Sequence, residues 1–249
     1  MDLAAAAYRL TAPVWQPVGS LAGLALPQAC GGCRTLGTPW CCDCAHEVAR
    51  ETSLARIVSG RAGTACGPGG VVLAAAPYAG PLRSAVVAFK DGGRRDLLSV
   101  LAPVMRAVLV EALTRRADDG APIAVVPAPS STRSRRTRGD VPLHLLVRRA
   151  LDGADVLTGR TVLWAPVLHA GRVVADQSRL SRQDRRTNVQ GAFVVGAPYV
   201  DSVKGLDVVV ADDVVTTGAT ARECVRALRE AGARPIAVAA LAATLRTER

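Results

Sequence analysis

Residues 208 to 220 read Val-Val-Val-Ala-Asp-Asp-Val-Val-Thr-Thr-Gly-Ala-Thr and constrain this chain more than any other stretch. An apolar run ends in two carboxylates, Asp212 and Asp213. Small and hydroxyl residues follow, then an amphipathic stretch from Ala221 to Ala231. That order predicts a strand, a phosphate loop and a helix. The β-branched run Val208 to Val210 lacks polar alternation, as expected of a parallel strand covered on both faces. Thr216, Thr217, Gly218, Ala219 and Thr220 stand where strand becomes helix, and unpaired backbone N–H groups there make an anion site. Gly218 lets the backbone come close to an oxyanion, and the threonine hydroxyls add donors. Two carboxylates would repel a phosphate, so they make sense as acceptors for sugar hydroxyls. A phosphate beside a vicinal diol describes a ribose 5-phosphate.

Four apolar residues, two acids and Thr-Thr-Gly-x-Thr, in this order, resemble the signature of the type I phosphoribosyltransferases, which bind phosphoribosyl pyrophosphate (PRPP). The nucleoside-triphosphate loop Gly-x-x-x-x-Gly-Lys-Ser/Thr does not occur in the chain, which disfavours that class.

Five of the seven cysteines lie between Cys30 and Cys44. Cys30-Gly31-Gly32-Cys33 and Cys41-Cys42-Asp43-Cys44 form two C-x-x-C turns, each presenting two thiolates to one side. Together they complete a tetrahedron suited to a structural zinc ion. The expected ligands are Cys30, Cys33, Cys41 and Cys44, with Cys42 an alternative to Cys41 and His46 in reserve. Four cysteine ligands leave no open position, so zinc catalysis is not expected. Cys66 and Cys224 read as ordinary small residues.

The length of 249 residues suits one large domain with a small module, and 49% hydrophobic content excludes global disorder. A net charge of +10 favours acidic partners such as phosphorylated small molecules or nucleic acid. Arginines cluster at Arg133, Arg135, Arg136 and Arg138, and again at Arg172, Arg179, Arg182, Arg185 and Arg186. At 3% aromatic residues, a stacking platform for single strands is disfavoured, while a groove following a phosphate backbone is compatible. Asp2 and three prolines interrupt the apolar N-terminus, so it does not read as a signal peptide. Pro or polar residues break every long apolar run, so no membrane span is expected. A cytoplasmic protein is the expectation.

Along the chain, residues 1–60 are assigned to an N-terminal arm and cysteine knuckle and residues 71–249 to the main domain. Strands are expected over Val71 to Ala76, Ile123 to Val126, Val162 to Leu168, Gly191 to Val195 and Ile236 to Ala240. Helices are expected over Leu82 to Lys90, Arg95 to Arg116 and Val141 to Leu151, with Pro103 awkward inside the second. Gly171 to Asn188 reads as a mobile basic loop. His144 and His169 have no evident partner and read as packing or surface residues. Alternating strands and helices imply an α/β fold with a doubly wound parallel sheet. Ligands of such sheets bind at the carboxyl ends of strands, which puts the Pro127 and Asp212 loops on one rim.

Further segments extend the resemblance: Tyr78-x-Gly80-Pro81-Leu82-Arg83, Phe89-Lys90, Val126-Pro127-x-Pro129, Arg138-Gly139, Gln177-x-x-Leu180, and Arg186-x-Asn188-Val189-x-Gly191-Ala192-Phe193. With the knuckle and the phosphate signature, the chain resembles, over nearly its whole length, the ComF family of competence-associated phosphoribosyltransferase-like proteins. The resemblance implies a type I phosphoribosyltransferase-like fold with an N-terminal zinc knuckle, and a role in uptake or processing of transforming single-stranded DNA beside other competence proteins. PRPP, or another ribose 5-phosphate ligand, would place its phosphate on Thr216 to Thr220 and its ribose hydroxyls on Asp212 and Asp213. Pyrophosphate and Mg²⁺ would lie near Ser130, Ser131 and Arg133. Arginines of the 171–188 loop, with Arg186 in the catalytic set beside Arg133, Asp212 and Asp213, would close over the site. One departure stands out. After Arg138-Gly139 the family usually continues Phe-Asn-Gln, but here Asp140-Val141-Pro142 follow, removing an amide pair and adding a negative charge. Two readings result: a transferase with an unknown acceptor, or a catalytically silent PRPP-binding adaptor.

Overall fold

In a computed structural model of the chain, residues 28–52, 56–58, 64–67, 70–115, 121–129, 141–171 and 191–244 are described. The cysteine knuckle leads into helix α1 (Cys42–Glu51). A short strand β1 (Arg56–Ile57) then precedes β2 (Val71–Pro77). Helix α2 (Gly80–Lys90) follows directly, and a 3-10 turn at Arg95–Leu97 opens the long helix α3 (Leu98–Thr114). After β3 (Ile123–Pro127) come α4 (Pro142–Ala150), α5 (Ala154–Thr158), and the short strands β4 (Val162–Trp164), β5 (Leu168–Ala170) and β6 (Phe193–Val195). A single turn of helix, α6 (Val200–Val203), leads into β7 (Asp207–Val215), α7 (Ala219–Glu230) and β8 (Arg234–Ala243).

The main sheet has the order β1-β2-β8-β7-β3-β4. All its pairs are parallel except β1 with β2. Strands buried on both faces read as continuous apolar runs, and Val208 to Ala211 and Ala237 to Ala243 are wholly inaccessible. Helix α3 covers one face through β8 and β2, while α7 lies on β7 and β8. Alanines on β2 and β8 leave room for Leu101, Met105, Val108 and Leu109 of α3, all fully buried. Pro235 has no N–H for the ladder, and the β7–β8 register shifts beside it.

One expectation is corrected. The Val162 to Leu168 run is not one strand: Pro166 interrupts it, β4 pairs with β3, and β5 pairs antiparallel with β6 in a separate small sheet. Pro103 does not break α3, which runs through it packed against α4, β2 and β8. The segment Arg95–Thr114 is also long and apolar enough, by length and composition, to cross a membrane. Pro103, Arg106 and Glu111 interrupt its apolar sequence, and its apolar face belongs to the core.

The topology fixes where a ligand can sit. From β3 the chain moves outward to β4, and from β7 it moves the opposite way, through α7 to β8. The crevice outside the carboxyl ends of β3 and β7 is therefore the switch point of the sheet, where open α/β folds bind ligands.

Candidate functional site: an acid pair before an open helix terminus

Strands β3 and β7 end side by side. Pro127 is in register with Ala211, and the Ala128 N–H donates to the Ala211 carbonyl at 2.8 Å. The Pro127 and Asp212 segments thus share one rim, as the sequence implies. Strand β7 runs further than expected, however, and carries Asp212 and Asp213 inside it rather than at its end. Apolar Val214 and Val215 keep it paired with β8 as far as Ala243.

That extension determines the state of the acids. Asp212 is buried. Burial, and after it the charge of Asp213, pushes its carboxyl up to about 8, against the Asp213 N–H that it accepts at 2.8 Å and the charge of Lys90. The Asp213 carboxylate accepts the Val214 N–H at 2.8 Å and forms an ion pair with the Lys90 ammonium. Lys90 closes α2 and lines, with Asp213, Phe89, Pro142 and Leu143, a crevice between α2 and α4. The sequence reading did not include Lys90 in the site. A signal was present: Lys90 and Lys204 are the two lysines of a chain with 29 arginines.

Beyond Val215 the backbone turns into α7 through Thr216 and Thr217, both exposed. Gly218 is the N-cap with φ +72°, a left-handed conformation that a glycine adopts without strain. It offers no side-chain cap, and the first turn of α7 carries no acidic residue. The Thr217 hydroxyl accepts the Ala219 N–H at 3.4 Å. A helix terminus left without an acidic partner attracts anions. Asp212 and Asp213 thus precede residues 216–220 by two valines, with Asp212 and Gly218 buried and Thr216 and Thr217 exposed. Ser130, Ser131, Arg133, Asp140, Arg186 and residues 172–188 of the basic loop lie outside the described residues.

The Glu223 carboxylate, on the second turn of α7, is buried and accepts the Phe193 N–H at 3.1 Å. Arg226 donates to Glu223 at 2.7 Å and to the Phe193 carbonyl at 2.8 Å. Helix α7 therefore grips β6 through both backbone groups of Phe193. His144 and His169 pack against aromatic rings, in keeping with the packing role expected of them. His144 meets Trp164 edge-on at 5.4 Å, and His169 stacks on Tyr199 at 6.5 Å. Cys66 and Cys224 are buried.

A second cluster lies in the knuckle. Cys30, Cys33, Cys41 and Cys44 bring their sulfurs within 4.8 Å of one another. Tetrahedral zinc at about 2.3 Å from each sulfur needs them about 3.8 Å apart, so the donor set fits a metal ion such as zinc. The Gly32 and Cys41 N–H groups both point at the Cys30 sulfur, at 3.4 Å. The Thr35 hydroxyl, 3.1 Å from the Cys33 sulfur, heads the contacts that lower this thiol to about 6. Burial, then the neighbouring thiols, pushes Cys44 the other way. Four crowded thiols cannot all ionise without a cation among them. Cys42 is exposed and turns towards Asp43, outside the set.

Comparison with known proteins gives the setting. The phosphoribosyl transferase domain family matches residues 164–249. The DNA utilization protein YhgH of Salmonella typhi is 28% identical over 244 residues, covering 89% of this chain and 100% of the relative. The protein of that name from Salmonella typhimurium strain LT2 is 30% identical over 176 residues, 68% of this chain and 70% of the relative. The orotate phosphoribosyltransferase of Bordetella pertussis is 34% identical over 98 residues, 39% of this chain and 35% of that enzyme.

Proposed function

Since this chain belongs to the ComF-like phosphoribosyltransferase family that includes the DNA utilization proteins YhgH, we propose that it binds PRPP at the β3–β7 switch point and serves the handling of single-stranded DNA. One observation carries the reading: two carboxylates near the end of a central parallel strand precede, by two valines and two threonines, a helix terminus whose N-cap glycine offers no side chain and whose first turn has no acid. The N–H and hydroxyl groups of residues 216–220 receive the 5-phosphate. Asp212 and Asp213 accept hydrogen bonds from the ribose hydroxyls. Charge assigns the roles: a carboxylate repels phosphate, whereas the backbone N–H groups of a helix N-terminus can only donate.

The pyrophosphate end belongs on the β3 side, beside Ser130, Ser131 and Arg133. Mg²⁺, when bound with the ligand, neutralises charge on the departing pyrophosphate. Transfer to an acceptor also requires stabilisation of the ring cation that develops as the C1–oxygen bond lengthens, and the Asp213 carboxylate on the ribose supplies negative charge near it. Arg133 and Arg186 are the candidates for the leaving-group charge. Cys30, Cys33, Cys41 and Cys44 hold zinc in a structural role.

A silent PRPP-binding adaptor is the second reading, favoured by Asp140-Val141-Pro142 in place of the family's usual Phe-Asn-Gln. Labelled-pyrophosphate exchange separates the two, since an adaptor returns no label to PRPP. The shared premise is tested by calorimetric titration with PRPP and Mg²⁺. The parent should bind, and an Asp212→Asn, Asp213→Asn double variant should not. A folded parent that fails to bind would overturn both readings. Single-stranded DNA should bind with an affinity that falls steeply as salt is added; a flat salt response would remove the DNA role.

A further inference from the structure

The scheme above leaves one charged group of the rim without a role. Lys90 ends α2 with its ammonium on the Asp213 carboxylate. Its side chain is 46% exposed against 17% for Asp213, so the ammonium stands at the mouth of the crevice with one side open. An ammonium has three donors and no acceptor. The Asp213 pair uses one of them and leaves the cation able to meet a second anion.

Its position indicates which anion. The 5-phosphate of a phosphoribosyl ligand is already provided for at residues 216–220, on the α7 side of Asp213. Lys90 lies on the other side, in the crevice lined by Pro142 and Leu143 at the start of α4. That helix begins where the chain returns from the segment after β3, the side assigned to pyrophosphate. The Asp213 carboxylate at this mouth would repel such a group, and Lys90 is the cation paired with it. Burial opposes its charge, but the Asp213 charge and hydrogen bond and the Asp212 charge outweigh it, so the ammonium stays protonated at neutral pH. Composition agrees: a compact point charge occupies this position in a chain that otherwise uses arginine almost throughout.

We propose that Lys90 is a ligand-binding residue of this site: its ammonium, held at the rim by Asp213, binds the anionic group that a phosphoribosyl ligand carries at C1 and so favours the pyrophosphorylated sugar over ribose 5-phosphate. The proposal rests on the phosphoribosyl reading of the site. It makes Asp213 the residue that orients this cation as well as a hydroxyl acceptor.

The test is calorimetric titration of the zinc-loaded full chain with PRPP and, separately, ribose 5-phosphate, both with Mg²⁺. Parent, Lys90→Met and Lys90→Arg are compared, with thermal unfolding to check that each variant is folded. Loss of one charge-assisted hydrogen bond should weaken PRPP binding by about ten- to a hundredfold in Lys90→Met, with ribose 5-phosphate changed by less than about threefold. Lys90→Arg, which keeps the charge, should recover most of the PRPP affinity. Equal losses for both ligands would mean that Lys90 acts only through Asp213, and the proposal falls. Unchanged binding of both also overturns it. A parent that binds neither ligand instead overturns the phosphoribosyl reading on which it stands.

Discussion

Asp212 shows how one side chain can record the conflict between a strand's packing and a ligand's needs. A carboxyl beside a sugar should be ionised to accept hydroxyl donors well, yet burial and the Asp213 charge hold this one protonated to about pH 8. In the unfolded chain it ionises near pH 4. Between those values the folded protein keeps a proton that the unfolded chain has released. Stability must therefore fall as pH rises from about 4 to about 8, by at most about 1.4 kcal/mol per pH unit for this group, and then level off. An Asp212→Asn variant has no such proton. It should lose less stability than the parent between pH 5 and pH 8, measured as the difference in unfolding free energy at each pH. Parallel curves for the two proteins would show that Asp212 is ionised throughout. At this scale the acid pair and the threonines were legible because one short stretch carries the full order of chemistry. The raised pKa was not, because it depends on Val214 and Val215 extending the strand. Lys90 was not either, because the fold, rather than nearby sequence, brings α2 to Asp213.

Elements were legible where one periodicity ran unbroken. Strands β2, β3 and β8 and helices α2, α4 and α7 stand where their apolar patterns put them. The pattern failed at Ala165-Pro166-Val167, where one apolar run serves two sheets. What separates β4 from β5 is pairing partner rather than hydrophobicity, and pairing is a long-range property. The grip of α7 on β6 is of the same kind, since nothing in the spacing of Glu223 and Arg226 announces Phe193. Replacing Glu223 by Ala leaves the Phe193 N–H and the Arg226 guanidinium without their buried acceptor. With Arg226 partly open to water, we expect a loss of roughly 1–3 kcal/mol in urea unfolding. Glu223→Gln keeps an acceptor for the N–H and should lose less. Equal losses in the two variants would assign the effect to the charge of the ion pair and not to the Phe193 contact.

At the scale of the molecule, α2 joins the cysteine knuckle at its first turn to Asp213 at its last residue. Gly32 packs so tightly that a β-carbon there would lie 3.0 Å from the Pro81 side chain and 2.6 Å from the Cys44 sulfur, which fixes the knuckle on the first turn of α2. Arg94, between α2 and α3, donates to the Ala29 carbonyl at 2.9 Å and is held by Asp96. The last residue of the same α2 is Lys90, on Asp213. Metal occupancy and ligand binding should therefore be linked, and linkage between two binding equilibria is reciprocal. Stripping the metal with a chelator should lower the thermal midpoint and weaken PRPP binding by about fivefold or more. Saturating PRPP should protect the metal from the chelator by the same factor. In Lys90→Met the connection is cut at its far end, so chelation should still lower the midpoint but should no longer change the remaining PRPP affinity. Metal-free parent that binds PRPP as tightly as the loaded protein would show that the knuckle holds the fold together without reaching the rim. Persistence of the full metal effect in Lys90→Met would show that the connection runs through some other part of the core.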